Sequence, residues 1–181
     1  MQWGVNHLGH FYLTYLLWPK ITAASNFRVI NVSSLAHKRL VGFGPTPTLD
    51  FKNINWEKDY HPSMAYSRSK LYNVMFTRAL AQKIGSRGKV ASLHPGVVRT
   101  NITRYALSGS IINKILGLLF ILVHPIFTFF SKSSVQGNQT TMYTLLSEDV
   151  ENGCYYADCK RDNENRYVTE ENWNMLWEIS Q

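Results

Sequence analysis

A tyrosine stands four residues ahead of a lysine twice in this chain, as Tyr66 and Lys70 in AYSRSK and as Tyr156 and Lys160 in YADCK. A phenol with its ordinary pKa of about 10 is a reluctant proton donor at neutral pH, and a neighbouring ammonium group is one way to turn it into an acid–base group. The spacing alone decides nothing in a chain with 10 tyrosines and 19 lysines and arginines. Geometry separates the two pairs. On a helix, residues i and i+4 share one face a single turn apart, whereas on a strand they lie roughly 13 Å apart.

The elements that must position these pairs can be read from periodicity and from breakers. Residues 2–24 carry Leu8, Phe11, Tyr12, Tyr15 and Leu16 at helical spacing, with Pro19 expected to kink or shorten the end. NFRVINVSS, 26–34, is short and rich in β-branched residues and predicts a strand. The Pro-, Gly-, Asn- and Asp-rich stretch 36–62 predicts a long loop, of a length that inside a compact domain is usually functional. A helix follows over 63–84, begun by Pro62 and closed by GSRG. KVASLHPG, 89–96, predicts a second strand, stopped by Pro95 and Gly96. After an excursion over 97–133, a helix is expected over 134–146, a third short strand in GCYYADC and a last helix capped by Thr169. Alternation at these lengths implies an α/β fold, a parallel sheet with helices on both faces. In such sheets ligands sit beyond the carboxyl ends of the strands, where Ser33, Ser34, Pro95 and Gly96 fall. Tyr66 and Lys70 share a predicted helix face. Tyr156 and Lys160 lie on a strand or its exit, so their spacing brings nothing together.

Five motifs in this order resemble the short-chain dehydrogenase/reductase family, and within it the retinol-dehydrogenase-like group: VNHLGHFYLT (5–14), RVINVSSLAH (28–37), AYSRSKLYNVMFTRAL (65–80), SLHPGVVRT (92–100) and GCYYADCK (153–160). The resemblance implies the C-terminal half of a Rossmann-type doubly wound parallel sheet with flanking helices, one truncated domain over 1–181. It implies interconversion of an apolar alcohol and its aldehyde or ketone, retinoid-like or another lipid carbonyl, with NADP as the expected cofactor and NAD left open. Tyr66 would be the acid–base group, its pKa lowered by Lys70 and the positive nicotinamide ring. Lys70 would also hold the nicotinamide ribose. Ser34 would hydrogen-bond the substrate oxygen, and Asn6 would fix a water linking Lys70 to solvent. Pro95, Gly96, Val98 and Thr100 would line the cofactor's carboxamide side. Taken singly, Asn6 also reads as a helix-face polar residue, Ser34 as a strand-end cap and Tyr66 as a core aromatic. His7, His10, His37 and His94 flank these motifs and read as packing or hydrogen-bonding residues, since no metal-ligand spacing accompanies them.

Composition limits the alternatives. The chain has 181 residues, a net charge of +7 and 45% hydrophobic residues, enough for one packed domain. Its basic residues are scattered, unlike the concentrated face of a nucleic-acid groove. Two cysteines, Cys154 and Cys159, are too few for a disulfide framework. The start lacks the basic and apolar regions of a signal peptide, so a cytoplasmic location is expected and the sequons at Asn31, Asn101 and Asn138 read as chance. The apolar run 111–130 is interrupted by Lys114, His124 and Pro125. Three readings stay open for it: a substrate-covering lid within the excursion 101–133, a helix dipping into an endomembrane surface, and a span.

The family's glycine-rich turn, whose amides bind the pyrophosphate, has no match. GFGPTP, 42–47, lacks the third glycine and neither follows a strand nor opens a helix. The chain resembles the family from the helix after the fourth strand onward. The strand at 26–34 is therefore expected to present an open edge, which invites aggregation, a homo-oligomer or pairing with an intact relative. A catalytically inactive remnant acting by association is the alternative to an oxidoreductase.

Overall fold

The computed structural model describes residues 1–39, 46–98 and 131–181. Four strands form one sheet in the order β1 (Phe27–Val32), β2 (Gly88–Leu93), β3 (Tyr155–Ala157) and β4 (Lys160–Arg161). The first two pairings are parallel, with Phe27 opposite Gly88 and Ser92 opposite Tyr155. The last is antiparallel, a departure from the all-parallel expectation. Gly88 lets β1 and β2 approach at their start, because a Cβ there would lie 2.6 Å from the Phe27 carbonyl oxygen.

Helices cover both faces. On one lies α2 (Pro62–Ile84), entered through Pro62 and an N-cap at His61 whose Nδ1 accepts the Met64 N–H, and ended by Gly85 at φ +59°. A first turn of π-helix (Gly4–Leu8) leads into α1 (Gly9–Thr22), and α4 (Glu170–Ser180) closes the chain with Thr169 capping it, as expected. Phe11, Phe27, Phe76, Leu80, Ile84 and Val90 join α1, α2 and the sheet into one apolar cluster; Trp3, Ile54, Leu71, Met75 and Leu176 form another beside it. The opposite face is covered by α3 (Ser134–Leu146), where Ala91, Leu93, Val150, Cys154 and Tyr156 pack. The α/β architecture with helices on both faces is as the sequence implied.

Several boundaries differ for physical reasons. Pro19 sits inside α1 without ending it. The expected third strand is three residues long, because Asp158 and Cys159 both take positive φ and turn the chain into β4. The loop after β1 contains a short 3₁₀ turn, Leu35–His37. Part of GFGPTP and all of the apolar run 111–130 lie outside the described residues; among those described, no helix is long and apolar enough to cross a membrane.

Candidate active site

The site is built where β1 and β2 end and α2 begins. The ladder continues one residue past β1, as the Ser33 N–H donates to the Leu93 carbonyl at 2.7 Å. The Ser33 hydroxyl donates to the Lys70 carbonyl on α2 at 2.7 Å. Strand end and helix are thereby fastened at the turn that carries Lys70. Deeper in, the buried Asn31 amide donates to Thr77 Oγ1 at 2.9 Å, a second tie between β1 and α2.

Tyr66 and Lys70 lie one turn apart on α2, with the ammonium 5.8 Å from the centre of the tyrosine ring. Lys70 Nζ donates to the Val32 carbonyl at 3.2 Å, and burial lowers its pKa below the usual lysine value. The Tyr66 hydroxyl makes no hydrogen bond to a described residue. Ser34 is extended and opens the 3₁₀ turn, its Oγ accepting the Ala36 N–H at 3.2 Å. With one lone pair so engaged, the hydroxyl keeps its proton to donate. An ammonium with N–H groups to spare, a phenol with no hydrogen-bond partner among the described residues and a hydroxyl with its proton to give are the donors that a carbonyl oxygen and a sugar diol would need; this set fits a nicotinamide nucleoside beside a carbonyl substrate.

Asn6 sits in the π-turn, the kind of helix irregularity often found at functional sites. Its amide donates to Gln2 Oε1 at 2.5 Å and to Ser69 Oγ at 3.1 Å, next to Lys70 in sequence but not to Lys70 itself. Ser69 Oγ in turn donates to the Tyr66 carbonyl at 2.7 Å. His10, partly buried, has its pKa lowered by burial and then by the Lys70 charge. Asn73 bridges this corner, its amide facing His10 Nδ1 and the Val32 carbonyl, each at 3.4 Å. Asn73 and Ser69 escaped the sequence reading, although they fall at i+3 from Lys70 and Tyr66, on the same helix face.

Beyond β2, Gly96 has φ +84° and its N–H donates to His94 Nδ1 at 3.0 Å. A side chain there would meet Lys132, 2.9 Å away. Val98 bridges to Lys132 in a parallel pairing, and Lys132 makes an ion pair with Asp158. Pro95, Gly96 and Val98 thus stand at the carboxyl edge of the sheet, while Thr100 lies outside the described residues. Tyr156 and Lys160 fall on neighbouring strands, and the Tyr156 hydroxyl accepts the Glu151 N–H at 2.7 Å. No group of three or more metal-ligating side chains occurs among the described residues. A groove of about 560 Å³ between α1, α2 and α4, lined by Phe11, Tyr15, Trp18, Phe76 and Trp177, contains none of the predicted site residues.

No protein-family model matches the chain. Its homologues are retinol dehydrogenases of the short-chain dehydrogenase/reductase family. It is 40% identical over 186 residues to retinol dehydrogenase 12 of Mus musculus, covering 98% of this chain and 53% of that protein. It is 38% identical over 189 residues to retinol dehydrogenase 14 of Homo sapiens, covering 100% of this chain and 51% of that one. The chain therefore spans about half the length of the curated relatives it matches. Among solved structures, an uncharacterised protein from Mycobacterium paratuberculosis superposes with a TM-score of 0.65 at 27% identity, over 98% of this chain and 56% of the other. The NADPH-bound carbonyl reductase from chicken fatty liver shares the fold, with a TM-score of 0.53 at 18% identity over 84% of this chain and 51% of that one.

Proposed function

We propose that this chain, a homologue of the retinol dehydrogenases of the short-chain dehydrogenase/reductase family, carries the substrate-activating half of an oxidoreductase that interconverts an apolar alcohol and its aldehyde or ketone. The observation that supports this most is Lys70, one helical turn from Tyr66, donating to the Val32 carbonyl at the end of β1, two residues before Ser34. The substrate class follows the relatives named for retinol, and the apolar run 111–130 is in keeping with a lipid-like carbonyl.

NADP is the proposed cofactor, with NAD the alternative; when bound, it supplies or accepts the hydride. Lys70 would hold the nicotinamide ribose with the N–H groups not given to Val32. Tyr66, one turn from that ammonium, would pass its hydroxyl proton to and from the substrate oxygen. Ser34 donates its hydroxyl proton to that oxygen and steadies the charge that develops there. Asn6, reaching α2 through Ser69, is placed to order a water between Lys70 and solvent. Gly96 and Val98, with Pro95 and Thr100, would face the carboxamide.

The test is nicotinamide oxidation, followed by loss of absorbance, with retinaldehyde and a panel of aliphatic aldehydes, NADPH against NADH. Aldehyde-dependent oxidation preferring NADPH supports the reading; none on any aldehyde with either cofactor overturns it. A second reading, a non-catalytic chain acting by association, is favoured by the outer edge of β1, which pairs with no strand among the described residues. Its mark would be co-purification with a longer homologue and no turnover alone.

A further inference from the structure

Of the four histidines around the motifs, His37 is the most completely buried, with 0% exposure. It closes the 3₁₀ turn that begins at Ser34. Its Nδ1 lies 2.7 Å from the Ser34 carbonyl oxygen and its main-chain N–H reaches the same oxygen at 3.1 Å. A carbonyl only accepts, so Nδ1 bears the proton. Burial lowers the imidazole pKa to about 4, and the neutral ring keeps that proton throughout the neutral range. The other nitrogen, Nε2, is buried with no hydrogen-bond partner among the described residues, as is the hydroxyl of Tyr155, whose ring packs against the imidazole at 4.4 Å.

The turn is also held from below. The Asn165 amide, itself buried, donates to the His37 carbonyl at 2.6 Å. Asn165 Oδ1 accepts the Tyr167 N–H at 2.9 Å. Lys38 pairs with Asp162 at 2.7 Å. These contacts tie the Ser34 turn to the segment that follows β4, more than 120 residues along the chain. The Ala36 N–H that fixes Ser34 Oγ belongs to this same turn. Where the hydroxyl proton points therefore depends on the turn staying closed.

We propose that His37 is a positioning residue for Ser34: its Nδ1–H, braced by Asn165, locks the turn that aims the Ser34 hydroxyl. The effect on turnover rests on the reading of Ser34 given above, whereas the lock itself does not. Two variants separate a lock from simple packing. Asn at this position puts an N–H donor where Nδ1 stands and removes the ring; Phe keeps a ring and removes the donor. In the 181-residue chain, His37→Phe is expected to speed amide hydrogen exchange at Ala36 and His37 about tenfold, the loss of roughly one hydrogen bond, while His37→Asn stays within about threefold of wild type. Where aldehyde-dependent turnover is measurable, kcat should follow the same order with the KM for NADPH unchanged. Turnover equal in His37→Phe and His37→Asn would overturn the positioning role and leave the oxidoreductase reading standing. Absent turnover in wild type overturns that reading and leaves the lock to the exchange data. If neither variant folds, the nitrogen NMR spectrum of wild-type His37 decides: a neutral ring with its proton on Nδ1 supports the lock, and a proton on Nε2 overturns it.

Discussion

At the residue scale the proposed chemistry rests on Tyr66, Lys70 and Ser34. The Tyr66 hydroxyl has no hydrogen-bond partner among the described residues, so Tyr66→Phe should change stability by less than about 0.5 kcal/mol while reducing kcat by about 10²- to 10⁴-fold, the usual range for a positioned proton donor. Ser34→Ala differs, because its Oγ caps the 3₁₀ turn. It should lower kcat about 10²-fold and also cost about 0.5–1.5 kcal/mol in urea unfolding. Tyr66 and Lys70 were legible because a helix brings i and i+4 together whatever surrounds it. The partners of Asn6 were not, since a π-turn inserts a residue that no spacing rule announces. Nor was the role of His37: a histidine after a strand end reads the same whether it packs or donates, and only its depth and its 2.7 Å bond to Ser34 distinguish them.

At the element scale, the site depends on α2 being fastened to β1. Asn31 Nδ2 and Thr77 Oγ1 meet at 2.9 Å in a fully buried setting, and Thr77 Oγ1 also donates to the Asn73 carbonyl. Thr77→Val keeps the shape and leaves the Asn31 amide unsatisfied. It should cost about 1–3 kcal/mol, measured by urea unfolding at pH 7.5; an unchanged midpoint would show that the tie carries no stability. The helices and the first two strands were readable from apolar periodicity, Pro62 and the glycines that end them. The hairpin that shortens β3 was not. Its turn residues, Asp158 and Cys159, both adopt positive φ, but the Asn-Gly or Asp-Gly pair that usually announces such a turn is missing.

At the scale of the whole molecule, two properties follow from what the fold buries and what it leaves open. His7 and His37 are both buried, and burial lowers their pKa values to about 3 and about 4. A lowered folded-state pKa means the unfolded chain binds the proton first. This contribution to stability is complete above about pH 6.5 and is lost as pH falls towards 4 for His37 and towards 3 for His7. At pH 5 each histidine should remove about 2 kcal/mol at 1.36 kcal/mol per pH unit, so unfolding midpoints should drop markedly between pH 7.5 and pH 5. A flat profile would contradict the burial. The second property is the outer edge of β1, which pairs with no strand among the described residues and ends at the exposed Val32. Unpaired backbone beside apolar side chains favours association. Sedimentation should show dimers or larger species that grow with concentration; a monodisperse monomer would contradict this.

The central claim is that Tyr66, held beside Lys70, is the acid–base group of a carbonyl–alcohol oxidoreductase. The most direct measurement compares retinaldehyde-dependent NADPH oxidation by wild type and by Tyr66→Phe in the same preparation, with unfolding midpoints recorded for both. Turnover in wild type, and its loss by at least about 10²-fold in an equally stable variant, is the expected result. Equal turnover in the two proteins would contradict it.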